Sequence, residues 1–532
     1  MNLLVSGVGA AAQVRCIERE RQALLKFKES LTGDLSGLTW GSEEDKEECC
    51  NWYGVECSVT GHVIRLDLSD KHLRDLSQNH LVGSLPDITR FSSLKKLYLS
   101  NNHLDGLHPQ SLHQPSSLES LDLSGNQLKR LPEAIEHLLN LKYLNLSSTS
   151  LEGTITEHHL SNLTQLTKLD LSSNNVSFSF SFDWIPPFQL QIRLSHCNMG
   201  PYFPNWIRTQ NSLQELYLSF VGISDTLPNW LWSMTSIQLL DLSHNNIMGR
   251  MPDLALKLNH YEQLDLSHNN LSGPIPISIF QYSTTLGIET LVLSDNQLDG
   301  ELPDCWMNLH DLSVLNLANN KFTGQDSEYK RLKNLKGIDL SSNKLVGTIP
   351  QAFSNLKGLV FINLSRNHLT GNIISSIGQL DTLEWIDLSR NQLSGEIPNS
   401  LANLHFLSVL DLSYNNLTGK IPLSTQLQSF NSSAYVGNSL LCGDPLAECP
   451  HDPSMTGRGE LNIVEEDDRF MNRDFYICMA FGFITGFWVI VGTLVLKHSW
   501  RRSYFNFWNN IGDWIHVTTA IYVTRFKRKF MP

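Results

Sequence analysis

Nine cysteines, and the Asp and His set side by side in repeated DLSH strings, are the side chains of this 532-residue chain that elsewhere supply nucleophiles, bases or metal ligands. Cys16, Cys49, Cys50 and Cys57 group near the start, Cys442 and Cys449 form a second close pair, and Cys197, Cys305 and Cys478 stand alone. No His lies at ligand spacing beside the grouped cysteines, so they read as disulfide staples and not as a metal site. Three pairings of the first four are open. We expect Cys16 with Cys49, Cys50 with Cys57, and Cys442 with Cys449. The DLSH strings recur as scaffold, and the chain has no Walker loop, HExxH or GxSxG, and no Gly-rich loop, VAIK-type lysine, HRD or DFG. The 36 residues after Leu496 are too few for a kinase domain. We therefore expect no catalysis, no cofactor and no metal.

What remains is recognition chemistry. Aromatic side chains and Arg anchor interfaces, and the candidates here are Tyr98, Glu119, Tyr143, Arg193, Glu215, Tyr217, Phe361, Glu384 and Trp385. Each taken alone also fits a solvated strand residue. Phe361 and Trp385 fall at equivalent places in neighbouring repeats and are expected to form an apolar contact patch.

The element that positions them is a repeat. LxLS and its variants recur with the first apolar residue at 66, 97, 121, 144, 169, 192, 216, 240, 264, 291, 315, 338, 362, 386 and 410. The step of about 24.6 residues lies inside the range of roughly 20 to 29 for leucine-rich repeats. Alternate Leu point inward from a short strand, the flanking positions face out, and stacked turns make a parallel sheet along a concave wall. Eleven units carry Asn five places after the first apolar residue, from Asn102 to Asn415, where it bends the chain and bonds neighbouring coils. Lys71, Thr149, Cys197 and Val221 replace it in the others, which makes Cys197 a ladder residue. Many units continue into G-x-(I/L)-P, as in GTIP at 347 and GEIP at 395, where Gly permits a positive φ and Pro keeps the next stretch extended.

A solenoid exposes apolar faces at its ends and needs caps. CIERERQALLKFKES from Cys16 reads as an amphipathic helix turning Ala23, Leu24, Leu25 and Phe27 inward, with Trp52 of CCNWYGVEC covering the first coil. FNSSAYVGNSLLCGDPLAEC from Phe430 reads as the opposite lid. The fold class is thus an α/β solenoid, a plant-type leucine-rich-repeat superhelix with disulfide-stapled caps, plus one transmembrane helix.

That helix is the run of 22 uncharged residues at 475–496, enough to cross a hydrocarbon core that takes about 20. Acids at 465–468 precede it and a basic tail follows, which places the long N-terminal part outside and the tail inside. The division is 1–15 remnant or weak signal segment, 16–62 N-terminal cap, 63–430 solenoid, 431–459 C-terminal cap, 460–474 acidic linker, 475–496 transmembrane helix and 497–532 basic tail. Gly482 and Gly486 form a GxxxG, a close-approach motif for a second helix; the tail suits anionic lipid. Net charge of −13 argues against nucleic acid, whose phosphates call for basic partners. Hydrophobic residues at 41% exclude a disordered chain. Seven sequons occur, at Asn145, Asn162, Asn175, Asn270, Asn363, Asn416 and Asn431. Asn145 and Asn363 fall on the wall itself, where a glycan would exclude a large ligand.

RCIERERQALLKFK, CCNWYGVEC, LSHCNMGPYFPNWI, LPDCWMNLHDLSVLNLANN, QLQSFNSSAYVGNSLLCGDPL and WRRSYFNFWNNIGDWIHV resemble the plant leucine-rich-repeat receptor-like proteins, in particular the group of the fungal ethylene-inducing xylanase receptor. The resemblance runs from Val14 through nearly the whole chain. It implies a plasma-membrane receptor without its own kinase, recognising an extracellular protein or peptide, plausibly microbial, and signalling in defence through a partner receptor-like kinase and a co-receptor kinase. Family members usually carry a non-repeat island before their last four repeats. Here repeats 315 and 338 are 23 residues apart, and GQDSEYKRL at 324 reads as the surviving end of an island that is nearly absent. Two other functions fit the same array: an inhibitor of microbial wall-degrading enzymes, which the apolar run at 475–496 disfavours, and a shortened decoy that regulates receptor complexes in defence or development.

Overall fold

In the computed structural model, residues 15–30, 40–41, 48–69, 81–85, 88–107, 117–131, 133–189, 191–252, 261–276, 287–302, 309–324 and 334–449 are described. The predicted transmembrane run, its flanks, Cys305, Cys478, Gly482 and Gly486 lie outside them, as does Lys71. Among the described residues no helix is long and apolar enough to cross a membrane.

Each LxL becomes a three-residue strand with its central Leu or Ile buried. Leu97, Leu144, Leu216, Leu291 and Ile386 are at most 1% exposed, and each such side chain removed from water contributes about 2 kcal/mol. Fifteen of these strands, from Val63–Asp67 to Val409–Asp411, align in parallel, and Val55–Cys57 adds antiparallel at the start to complete a sixteen-stranded sheet. The register pairs equivalent residues, as in Leu216 with Leu240 and Ile362 with Ile386.

Asn completes the joint between coils. Asn245 donates from Nδ2 to the carbonyls of Leu218 at 2.8 Å and Leu242 at 3.1 Å, while its Oδ1 accepts from the amides of Val221 and Ile223. At most 9% of this residue is exposed, so these bonds satisfy backbone groups that burial would otherwise orphan. Cys197 takes the same place: its thiol donates to the Leu171 carbonyl at 3.2 Å. Thr149 bonds Leu146 within its own coil.

Among the described residues, the segments that return the chain from one wall strand to the next hold short 3₁₀ turns such as Gln351–Asn355 and Asn399–Asn403 and helices of four or five residues, and the one longer helix is Glu18–Ser30 of the cap. Pro350 and Pro398 stand before those turns and fix an extended entry; the few residues left before the next Leu close i to i+3, as when the Phe353 amide donates to the Pro350 carbonyl. Beyond ten of the eleven ladder asparagines, all but Asn126, the chain forms a further strand. Such strands make a four-stranded sheet from Met248–Arg250 to Lys321–Thr323, and a five-stranded one from Val346–Thr348 to Leu440–Cys442. Gly347 and Gly395 adopt φ of 90° and 76° there, a backbone that side chains resist.

Both ends are closed. Ala23, Leu24 and Phe27 are buried, Leu25 is partly so, and Trp52 stacks on Trp40 at 5.7 Å. Buried Glu20 accepts from the Val63 amide and pairs with His62 Nδ1 at 2.9 Å. Disulfides join Cys16 to Cys49 and Cys50 to Cys57. The sulfurs of Cys16, Cys49 and Cys50 lie close enough together to suggest a metal site, but bridged sulfur offers no thiolate. At the far end Cys442 joins Cys449, and the lid is itself one more coil. Its Asn438 donates to the Leu412 carbonyl at 3.0 Å, its strand Leu440–Cys442 pairs with Asn416–Lys420, and buried Tyr435 donates to the Leu427 carbonyl.

Candidate concave recognition wall

The exposed flanks of the LxL strands form rows along the wall, one residue per coil. Tyr98, Tyr143, Arg193, Glu215, Tyr217, Phe361 and Trp385 stand on these flanks; Glu119 and Glu384 stand one residue ahead of the strands Ser120–Asp122 and Trp385–Asp387. The two glutamates thus lie on the entry to the wall and not on its strands. Their backbone carbonyls anchor the next coil, accepting from Tyr143 and from Val409.

Toward the N-terminal end the candidates are bound to one another. Arg65 pairs with Asp67 at 2.8 Å and lies over the Tyr98 ring, 5.1 Å from its centroid. Glu119 is held between Lys95 at 3.1 Å and Lys142 at 2.8 Å, which keeps its carboxyl below the usual range. Arg193 pairs with Glu215 at 2.7 Å and covers Tyr217 at 4.9 Å. Tyr143 donates to Asp122 across 3.4 Å, and burial, with the Asp122 charge, pushes its hydroxyl up to about 12. These ladders use up the charges and ring faces that an incoming ligand would need.

The C-terminal end differs. Phe361 lies beside Gly337 on one side and pairs in register with Trp385 on the other, and Val409 follows in the same row. Trp385 is 45% exposed and Phe361 partly so. Among the described residues neither ring stacks on another aromatic or on a cation, and Glu384 beside them is exposed. The structure therefore brings Phe361 and Trp385 together with a neighbouring acid, and separates them from the paired candidates.

In the same row as Tyr98, Arg193 and Tyr217, the last residue of most other strands is an Asp or Asn, whose Oδ1 accepts the amide two residues on, as Asp265 does from Ser267 at 2.9 Å. Burial raises the Asp265 and Asp339 carboxyls. Asn145 and Asn363 belong to this row. Both are partly buried, and their Nδ2 atoms donate to Asp122 at 3.2 Å and Asp339 at 3.1 Å. The other five sequon asparagines are exposed. The Cys197 thiol, buried at 5% exposure, is pushed up to about 12 by desolvation.

Two features escape the sequence reading. His196, Phe220, His244 and His268 stack along the edge of the wall; their even spacing of 24 residues was the available signal. Elsewhere on the coils Phe178, Phe180 and Trp206 line a hollow of about 240 Å³, with Trp184 packed against Phe180 and Trp206 and with Phe182 and Tyr202 exposed at the rim. Its signal was the alternating aromatic run SFSFSFDW.

No relative was needed to find the wall, but relatives say which proteins share it. The leucine rich repeat N-terminal domain matches residues 17–58, and leucine rich repeat families match 62–128, 324–369 and four single repeats between 262 and 426. The chain is 37% identical to Receptor-like protein EIX2 of Solanum lycopersicum and 36% identical to Receptor-like protein EIX1 of the same plant, covering 88% of this chain and 67% of each relative. Among solved structures it is similar to the plant peptide hormone receptor RGFR1 in complex with RGF2, with a TM-score of 0.57 and 29% identity over 70% of this chain and 62% of that one. It is also similar to the Leptospira interrogans leucine-rich-repeat protein LIC12759, with a TM-score of 0.51 and 28% identity over 66% and 84%. Repeat, caps and kinship agree, and the chain belongs to the plant leucine-rich-repeat receptor-like proteins.

Proposed function

We propose that this protein is a cell-surface receptor subunit that recognises an extracellular protein or peptide on its concave wall and signals, in defence, through a partner receptor-like kinase and a co-receptor kinase. The observation that carries this reading is the division of the wall: paired ladders from Arg65 to Tyr217, and an aromatic patch of partly exposed Phe361 and exposed Trp385 without ion or ring pairing among the described residues. Exposed aromatics without internal partners are the side chains interfaces bury. The solved relative RGFR1 is a peptide receptor held with its peptide, which supports a peptide or protein ligand. The run at 475–496 serves as the single membrane span, with the repeats outside at the plasma membrane, Gly482 and Gly486 facing a partner helix, and the basic tail on anionic lipid. The chain works without catalysis, cofactor or metal of its own.

Affinity purification of the tagged full chain from plant membranes, with and without microbial extract, tests this. Co-receptor kinase is expected with the wild type, less of it with F361S/W385S, and less partner kinase with Gly482 and Gly486 both changed to Leu. Unchanged recovery from all three would overturn the reading.

A second reading has one observation in its favour. Val314–Asn316 pairs directly with Gly337–Asp339, Leu315 opposite Ile338, so the wall is continuous where the family resemblance leads one to expect an island. That favours a decoy that engages partner kinases without sensing ligand. Inserting a full island by chimera separates the two: gained ligand response with unchanged kinase recovery marks the present chain as the decoy.

A further inference from the structure

Along one edge of the concave wall four rings stand in a column. His196, Phe220, His244 and His268 stack at centroid distances of 4.3, 4.0 and 3.9 Å, with planes tilted by no more than 14°. Each is the residue that turns its coil away from the strand, with φ of 59°, 55°, 54° and 52°. Non-glycine residues at positive φ are uncommon, and His is among the types that tolerate it. His196, Phe220 and His268 are exposed and His244 is half-buried. The next place in the column is Asp295, whose Oδ2 is 3.4 Å from His268 Nε2. Further along, the same place is taken by Arg366, exposed, and by Arg390, which lies 4.3 Å over the Tyr414 ring.

The groups facing His244 are Asp241, Asp265, Asp295 and His268. Burial and the neighbouring His268 disfavour its proton, and the three carboxylates favour it. Imidazole is the side chain whose charge changes between about pH 5 and 8, and three of the four rings in the column are imidazoles. Two imidazolium rings stacked as His244 and His268 are, with centroids 3.9 Å apart, repel each other. A protonated imidazole offers only donors. An anion bridging neighbouring rings relieves the repulsion, and its binding and proton uptake then reinforce each other by linkage.

We propose that this ring ladder is a proton-gated docking ridge: acidification turns it cationic, and it then takes a carboxylate-rich peptide segment of a partner. Charge complementarity commits it to that occupant, because beyond Asp295, Asn319 and Ser342 the same column place is taken by two further cations, Arg366 and Arg390, in a chain whose net charge is −13. A metal ion is disfavoured: the described His and Asp atoms of the column do not converge as a ligand set, and the one group of three or more that does is Cys16, Cys49 and Cys50.

The test uses the purified full chain in detergent micelles and hexaglutamate as probe, with affinity measured at pH 5.5 and 7.5. About tenfold tighter binding is expected at pH 5.5, falling as salt is raised. H196N/H244N/H268N should lose most of that gain, Asn being chosen because it also accepts positive φ. H158N/H368N/H405N removes three exposed imidazoles elsewhere and should keep it. Thermal melts establish that each variant folds, and H196N alone, at the exposed end of the stack, should lose part of the gain if the triple variant does not fold. Equal affinity at both pH values in the wild type, a full gain in the folded ladder variants, or an equal loss in the control variant would overturn the proposal.

Discussion

The Phe361 ring fills the space above Gly337 in the next strand, so that a Cβ on Gly337 would collide with Cε1 and Cδ1 of the ring. The apolar patch at this end of the wall is thus shaped by a residue with no side chain. G337A must displace the ring, at a cost of about 1 to 3 kcal/mol, and is expected to lower the melting temperature. F361A in the same chain removes the clash, so the double variant should be less destabilised than the two single effects together. A double-mutant cycle in thermal or denaturant unfolding reads this, and strict additivity would show that the ring does not depend on Gly337.

Cys197 sits where eleven other coils use Asn, and its thiol makes one bond of the set. C197A should cost about 1 kcal/mol. C197N supplies the amide donors and the Oδ1 acceptor that the ladder uses elsewhere and should be no less stable than the wild type. With its thiol pushed up to about 12, Cys197 should stay unlabelled by a thiol reagent in the folded protein at pH 8 and react after denaturation.

The Asp265 carboxyl holds its proton more tightly in the fold than its ordinary 3.8, because burial penalises the charge. The native state therefore binds more protons than the unfolded chain just above 3.8, and ionisation subtracts stability at higher pH. That subtraction is complete above the raised native value and gone below 3.8. D265N keeps the acceptor for the Ser267 amide and cannot ionise. It should equal or exceed the wild type in unfolding free energy at pH 7, and that advantage should shrink as pH falls toward 4. An advantage that grows on acidification would contradict the burial argument.

Asn145 and Asn363 use their Nδ2 atoms on Asp122 and Asp339, the same atoms a glycan would take. Glycopeptide mapping of protein from plant cells should find these two sequons bare and find occupancy concentrated at Asn162, Asn175, Asn270, Asn416 and Asn431, which are exposed. High occupancy at Asn363 would mean that the row of side-chain bonds on the wall is not formed there.

The solenoid was readable because its physics is periodic: one inward Leu pattern and one Asn place, repeated, dictate the strand, the bend and the joint. Thr149 and Cys197 could be assigned as ladder members from position alone, and their bonds to Leu146 and Leu171 agree. Asn438 was hidden inside a lid motif because the coil it serves lacks LxLS. The wall's chemistry was less readable. Arg193 looks like a free anchor in one dimension, and only the packing of neighbouring coils puts the Glu215 carboxylate on it at 2.7 Å. The histidines of DLSH repeat as scaffold in the sequence. Equal 24-residue steps put them face to face only once the strands align in register. On the convex side, Pro-led segments of a few residues such as Gln351–Asn355 are too short to pass beyond a 3₁₀ turn.

The ladder bond from Asn245 reaches the Leu218 carbonyl one coil before, and the bond from Asn438 does the same with Leu412. Since the Asn joints use the same contacts, a cut through one such coil exposes two surfaces that fit a cut made at another a whole number of periods away. Deletion of complete units by recombination would leave no scar in such a wall, and the seam at Leu315 and Ile338 has the form such an excision would produce. Lineages built this way can lengthen or shorten their reach without having to reinvent the fold, while a loss of half a period would misalign every joint beyond it.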